Sequence, residues 1–251
     1  MVPGATVTAP DALSGNGPLD RRMSPVNDFG QPVGVGLGEW SAPPFPEPLT
    51  LKGRYCTLEP LRPDHASSLF PTFAAAPDSL WTYMSIGPFA TESEMERAFA
   101  SLVGLPDWLP YAILVDDKVV GFLSYLRIDP SGGVIEIGSI VFAPELQRTT
   151  AATEVIYLLL EYAFGLGYRR CEWKCDDLNE PSRRAAERLG FSYEGTFKKA
   201  THYKGRNRDT AWYAITDEAW PDVEKAFEDW LAPENFDNEG KQRQPLRAYR
   251  A

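Results

Sequence analysis

The stretch VIEIGSIVFAPELQRTTAATEVIYLLLEYAFGLG, residues 134–167, decides the fold. Residues 134–143 are mostly apolar and β-branched, with one acid, Glu136, and one glycine, Gly138, and read as a buried strand. A short connection then leads into a helix from about Thr149 to Leu166, with Gly167 placed to end it. A strand, a tight loop and a helix N-terminus in that order bring unpaired N–H groups and a positive helix end to one spot, which suits a diphosphate. Thr149, Thr150, Ala151, Ala152 and Thr153 are small enough for such a group to approach the backbone, and Gln147 and Arg148 add donors. The competing reading is a helix merely capped by threonine.

Working outward, RRCEWKCD (169–176) reads as a further strand, and Pro181 opens a short helix that Gly190 closes after Leu189. FSYEGTFKKATHYKG and RDTAWYAIT form a final hairpin, followed by the helix DEAWPDVEKAFEDWL. Upstream, GRYCTLEPL (53–61) alternates as a strand, and PDHASSLFPTFAA reads as a helix broken at Pro71. TESEMERAFASLVGL starts with Thr91 and has Glu94 three residues on, a capping-box pattern. YAILVD and VVGFLSYLRID flank Asp117-Lys118 as a hairpin, and Ser131-Gly132-Gly133 turns into strand 134–143. Hairpins at both ends and a strand–helix–strand crossover between them predict an α/β (α+β mixed) fold. Its sheet is mixed but mostly antiparallel, with helices on both faces.

The 251 residues divide unevenly, because residues 1–48 hold 16 of the 42 Pro and Gly residues. They read as an irregular arm, disordered to about residue 27, with Trp40 and Phe45 as reasons for its later part to dock. Residues 49–233 form the expected domain and 234–251 a polar tail. A formal charge of -10 argues against nucleic acid or an anionic membrane as partner. No apolar run reaches the roughly 20 residues of a membrane helix, and the N-terminus lacks a secretory pattern. Three cysteines and two histidines make neither a disulfide framework nor a histidine cage, and the C-x₃-C spacing of Cys171 and Cys175 is not a zinc spacing. A reduced, cytoplasmic protein without a metal, monomer or homodimer, is expected. Cys56, Cys171 and Cys175 read as core thiols.

Two motifs together carry a resemblance to the GCN5-related N-acetyltransferase (GNAT) superfamily. Its acyl-CoA loop reads Q/R-x-x-G-x-G/A, against Gln147-Arg148-Thr149-Thr150-Ala151-Ala152 in this chain. Thr150 stands where glycine is usual, which predicts a somewhat different loop geometry. CDDLNEPSRRAAERLGF resembles the second motif, with Asn179, Ser182, Gly190 and Phe191 in place. The likeness covers about residues 50–232 and is nearest to the RimJ/RimL-like branch.

The resemblance implies direct transfer of an acetyl group from acetyl-CoA to an amine, on a small molecule or a protein N-terminus. No metal or covalent enzyme intermediate is implied. Two central strands, here 134–143 and 170–176, would splay, and the backbone of Ile140, Val141 and Phe142 would pair with the pantetheine arm. Residues 147–153 would hold the pyrophosphate, and Asn179 would bond to the arm or position a water. Thr150 and the lack of the tyrosine that many members carry seven residues after the motif asparagine, here Ala186, also leave room for a non-catalytic acyl-CoA binding or sensing module.

A basic amine must lose a proton before it attacks, and the departing thiolate must gain one. Glu136, in an otherwise apolar stretch, is the candidate base; the alternatives are a solvent-facing residue or an ion-pair partner for an arginine. Ser182 is the candidate donor to the thiolate, as the RimL-like branch suggests, or else a helix cap. Trp81 and Tyr83 border the acceptor side in this fold and are candidate substrate contacts, or else core. His202 is a weaker candidate for proton relay. Residues 181–208 hold eight Lys/Arg and two Asp/Glu, and Arg183 and Arg184 are candidate contacts to the 3′-phosphate of CoA, or else part of a solvated basic face.

Overall fold

Helical and alternating stretches succeed one another in the computed structural model, which describes residues 24–250, largely in the order the sequence predicts. The order is β1 (Leu51–Lys52), β2 (Thr57–Pro60), α1 (His65–Ala75), α2 (Glu92–Val103), β3 (Leu109–Val115), β4 (Lys118–Asp129) and β5 (Val134–Phe142). Then come α3 (Thr150–Gly165), β6 (Arg170–Asp176), α4 (Glu180–Leu189), β7 (Ser192–Tyr203), β8 (Arg206–Thr216) and α5 (Trp220–Leu231). One sheet runs β1-β2-β3-β4-β5-β6-β8-β7. Its pairs are antiparallel except β5–β6, which is parallel and joined by the crossover helix α3. The mixed, mostly antiparallel sheet with helices on both faces is therefore observed.

Strand parity sorts the two cores. Tyr111, Leu123, Tyr125, Ile135, Ile137, Cys171 and Trp173 face α3, α4 and α5. Ala112, Phe122 and Val141 point the other way, into a smaller core with α1 and α2. These two helices pack on β3 and β4.

Local rules explain the element ends. Thr91 Oγ1 accepts the N–H of Glu94 at 3.2 Å, and the Glu94 carboxylate reaches back to the N–H of Ala90 at 2.8 Å. The β3–β4 turn is Asp116-Asp117, one residue earlier than the sequence predicts, with φ of 49° and 60°. Two left-handed residues match the twist of a two-residue hairpin. Pro71 does not break α1. The proline takes one N–H out of the helix, but the carbonyl it would have bonded, on Ser67, lies on the same exposed face and is open to solvent.

Residues 24–40 belong to a unit of their own, and the part up to residue 23 of the expected disordered stretch lies outside the described residues. Within residues 24–40, Val26 pairs with Pro32 across a turn held by Asn27 Oδ1, which accepts from Phe29 and Gln31. In the second unit, the segment after Ser41 is fastened by buried Pro43 and Pro46 rather than by Phe45, which stays exposed. Tyr162 and Tyr168 hydroxyls donate to the carbonyls of Glu47 and Pro44. The polar residues 234–251 are also anchored: Leu246 is buried, and Asn235 Oδ1 accepts from Gln244 N and Tyr249 Oη.

One buried acid fixes α3 against the edge of the sheet. Glu154 accepts the N–H groups of Arg54, Tyr55 and Cys56 at 2.8, 2.6 and 2.9 Å. A side chain at Gly53 would fall 2.3 Å from this carboxylate, so only glycine allows the approach. Replacing Glu154 by alanine leaves three N–H groups without an acceptor, and should destabilise the fold by roughly 3 kcal/mol or more in denaturant unfolding. His65 supplies a pH prediction. Burial, then Arg62, lowers its pKa below 6.5, and its Nδ1 accepts the Arg62 N–H at 3.2 Å. The neutral ring is the folded form, so its stabilisation is full above about pH 6.5 and is lost as pH falls through the lower folded value. His65→Asn, which retains an acceptor, should flatten that acid limb of the unfolding curve.

Candidate active site

The central parallel strands part company. β5 and β6 pair at Val134–Arg170, Ile135–Cys171 and Glu136–Glu172, and then no further, although both strands continue. A bulge on β5 directs it away: pairing with β4 shifts between Gly138 and Val141, and Ser139 takes φ of 52°. Among the described residues, the facing edges beyond Glu136 and Glu172 therefore lack a strand partner and leave backbone polar groups for an extended ligand.

Below the parting lies a chain of charge. Glu136 is 2% exposed and takes both Arg127 (2.6 and 2.5 Å) and Lys174 (3.0 Å). Lys174 Nζ also binds Glu172 at 2.7 Å and lies 3.7 Å from the centre of the Trp212 ring. Arg170 links Glu172 to Glu194. Glu136 is thus an ion-pair partner of an arginine, one of the alternatives its sequence position allows. It cannot accept a proton without weakening its pairing with Arg127 and Lys174.

Above the parting, the loop after β5 meets the N-terminus of α3. Thr149 caps the helix: its hydroxyl accepts from Ala152 N at 3.2 Å and donates to Leu146 O at 2.7 Å. Thr150 and Ala151, in the first turn, have N–H groups that no residue of the helix can accept. The left-handed residue is Arg148, with φ of 64°, whereas Thr150 is helical. Threonine at 150 therefore sits in a conformation that does not require glycine. Two other loop residues point elsewhere. Gln147 Nε2 donates to Phe142 O at 3.1 Å, and Thr153 is buried with its hydroxyl accepting from Arg188.

The loop after β6 supplies the opposite wall. Asn179 Oδ1 accepts from Ser182 N at 3.3 Å, which makes Asn179 the cap of α4. Ser182 is released from capping. Its Oγ accepts from the Trp173 indole at 3.0 Å and keeps its own proton to donate, with the Cys175 thiol within reach. Ala186 is fully buried on the same helix.

Comparison with known proteins matches this geometry. Residues 56–192 match the family described as Acetyltransferase (GNAT) domain. The chain belongs to the GNAT acetyltransferase family. It is 43% identical to a GCN5-related N-acetyltransferase from Brucella melitensis, with a TM-score of 0.82 over 85% of this chain and 99% of that one. A probable GNAT acetyltransferase from Chromobacterium violaceum is 39% identical, with a TM-score of 0.73 over 76% and 98% of the two chains. The uncharacterized N-acetyltransferase YnaD of Bacillus subtilis is 35% identical over 112 residues, which span 44% of this chain and 65% of that curated relative.

In this GNAT fold the segment after α1 borders the site, but its residues divide. Trp81 is 1% exposed, edge-on to Phe73 and Phe89, and belongs to the smaller core. Tyr83 donates to Leu178 O at 3.0 Å and so ties this segment to the loop before α4. The tip of the β7–β8 hairpin clasps it too: Lys204 Nζ donates to Trp81 O and Arg206 to Thr82 O. His202 is exposed on the edge strand. Arg184 is exposed and paired with Glu180, while Arg183 binds Tyr213 Oη and Asp177.

Sequence reasoning missed Arg127, Lys174 and Asp176. Asp176 is buried at the end of β6 and accepts from Tyr203 Oη at 2.8 Å and Leu178 N at 2.9 Å. Burial, then Asp176, pushes the Tyr203 phenol up to about 12, so it stays a donor at neutral pH. The signal was present: Glu172, Lys174 and Asp176 alternate with Cys171, Trp173 and Cys175, which puts every charge on one face of the strand.

Both residues at the start of α4 should contribute to stability, for different reasons. Asn179→Ala removes the cap and should cost about 1 kcal/mol in unfolding measurements, and Ser182→Ala leaves the Trp173 indole N–H without its acceptor and should cost about 1 kcal/mol or more.

Proposed function

We propose that the protein transfers an acetyl group from acetyl-CoA directly to a primary amine, on a small molecule or a protein N-terminus, without a covalent enzyme intermediate. The parting of β5 and β6 is the observation that carries this reading. In this proposal the backbone of residues 140–142 pairs with the pantetheine arm. The N–H groups of Thr150 and Ala151, with Arg148 alongside, hold the pyrophosphate. The residues fit: β5 has an unpartnered edge where the arm would lie, and α3 opens with unpaired donors beside it. Acetyl-CoA supplies the activated thioester.

Every other step falls to the chain. The bound amine attacks once it is neutral, which requires a proton to leave. Glu136 is committed to Arg127 and Lys174, so we assign it the ion-pair role and give the proton to water in the cleft. Ser182 donates a hydrogen bond to the departing thiolate, which draws its proton from water, and the Trp173 indole holds the serine oxygen; without ligand, the Cys175 thiol is the group within reach of that hydroxyl. Burial raises the thiol pKa of Cys56, Cys171 and Cys175, which supports a reaction without a thiolate nucleophile. The relatives of this chain that are named N-acetyltransferases support an amine as the acceptor.

Purified protein given acetyl-CoA and a broad panel of amines and peptides should release free CoA and a mass-shifted acceptor. Saturable CoA binding with no turnover on any acceptor would instead make it a binding module. Glu136→Gln should lower the unfolding temperature and leave the shape of the pH–rate profile unchanged; loss of its acid limb would return the base role to Glu136. Ser182→Ala should lower kcat about tenfold or more, with less effect on acetyl-CoA affinity.

A further inference from the structure

The face of β8 that meets the Lys174 side of β6 carries two orphaned donors. Among the described residues, Arg208 Nε and Trp212 Nε1 are buried without a hydrogen-bond partner. Both lie on the same strand parity, with buried Thr210 between them. An arginine is always charged, so burying one of its donors without an acceptor is unfavourable.

The missing partner is not a neighbouring acid, since each is already taken. Asp209, next in sequence, accepts from Lys198, Asn207 and the Lys199 N–H. Asp176, opposite Thr210, is held by Tyr203 and Leu178 N, and Asp177 binds Arg183 and Thr196. The other two cations near the hairpin tip, Lys204 and Arg206, are used on carbonyls of the segment after α1. In a chain of net charge -10, the Arg208 guanidinium forms no ion pair among the described residues and only flanks the Tyr203 ring, at 5.9 Å.

Resting on the transferase reading above, we propose that Arg208 binds an anionic group of the acceptor, so that the substrate class is an amine carrying a carboxylate. Placement supports this. β8 runs antiparallel to β6, and Arg208 lies two residues before Thr210, the partner of Asp176, so it stands beyond the C-terminal end of β6, where the central strands have parted. The Tyr203–Asp176 pair and the clasped segment after α1 border it. A carboxylate there would accept from the guanidinium in a charge-assisted bond and leave the amine end of the molecule free to face the cleft.

The test uses the full chain and matched acceptors: amino acids, each paired with its carboxamide. Steady-state kcat/KM is measured for both members in the wild type, Arg208→Gln and Arg208→Lys. The wild type should prefer the carboxylate member. Arg208→Gln should reduce that preference about tenfold or more through the acceptor KM, and Arg208→Lys should retain part of it. Comparing the ratio between proteins cancels the different basicity of the two amines.

No preference in the wild type, or an equal loss on both members, overturns the proposal. A rise in the KM for acetyl-CoA of the same size for both members also overturns it, by giving the guanidinium to a CoA phosphate. A second arm separates this from failure of the transferase reading. N-Acetylalanine and N-acetylalaninamide are titrated by tryptophan fluorescence. Arg208-dependent binding of the first alone, without turnover of any amine, upholds the anion site and removes the transferase reading. Binding of neither overturns the anion site.

Discussion

Two carboxylates facing each other across parallel strands form the constraint on which the site depends. Glu136 and Glu172 are the last paired residues of β5 and β6, both nearly buried. Alone they would repel and be poorly solvated. Lys174, two residues on along β6, reaches back between them, while Arg127 and Arg170 take the outer sides and Glu194 completes the chain. Three cations meet three carboxylates, so the junction is neutral. The strands are held together up to this point, and beyond it the β5 bulge lets them separate.

That arrangement links fold and chemistry. A parallel pair needs a crossover, and α3 provides it. The same crossover sets a helix N-terminus beside the unpaired edge of β5. Glu154, four residues after Thr150, bonds α3 to the backbone of residues 54–56, so the helix start is fixed relative to the sheet edge. A ligand with an extended arm and a diphosphate would find both its contacts already in place.

Much of this was legible in the sequence where short-range rules operate. The strand, loop and helix over 134–167, the cap at Thr91, the turn at 131–133 and the ending at Gly190 follow from periodicity and from residues with special backbone demands. The same rules misjudged Pro71, because exposure of one carbonyl decides its effect. That Thr150 is helical and Arg148 is the left-handed residue of the loop is a matter of backbone path that residue type alone does not give. The environment of Glu136 was not legible, since Lys174 lies on another strand and Arg127 reaches it from a left-handed kink in β4. Trp81 could be read as a wall of the site or as core, and its burial against Phe73 and Phe89 makes it core, a matter of which side of a short turn faces α1. Ser182 was ambiguous as a cap until Asn179 took that role.

In the proposed complex, acetyl-CoA lies in the parting of β5 and β6 with its diphosphate on α3. Amide hydrogen exchange of the full chain with and without acetyl-CoA reads this directly. Protection should concentrate at residues 140–142 and at Thr150 and Ala151. Binding that leaves those amides unprotected and shields another surface would contradict it.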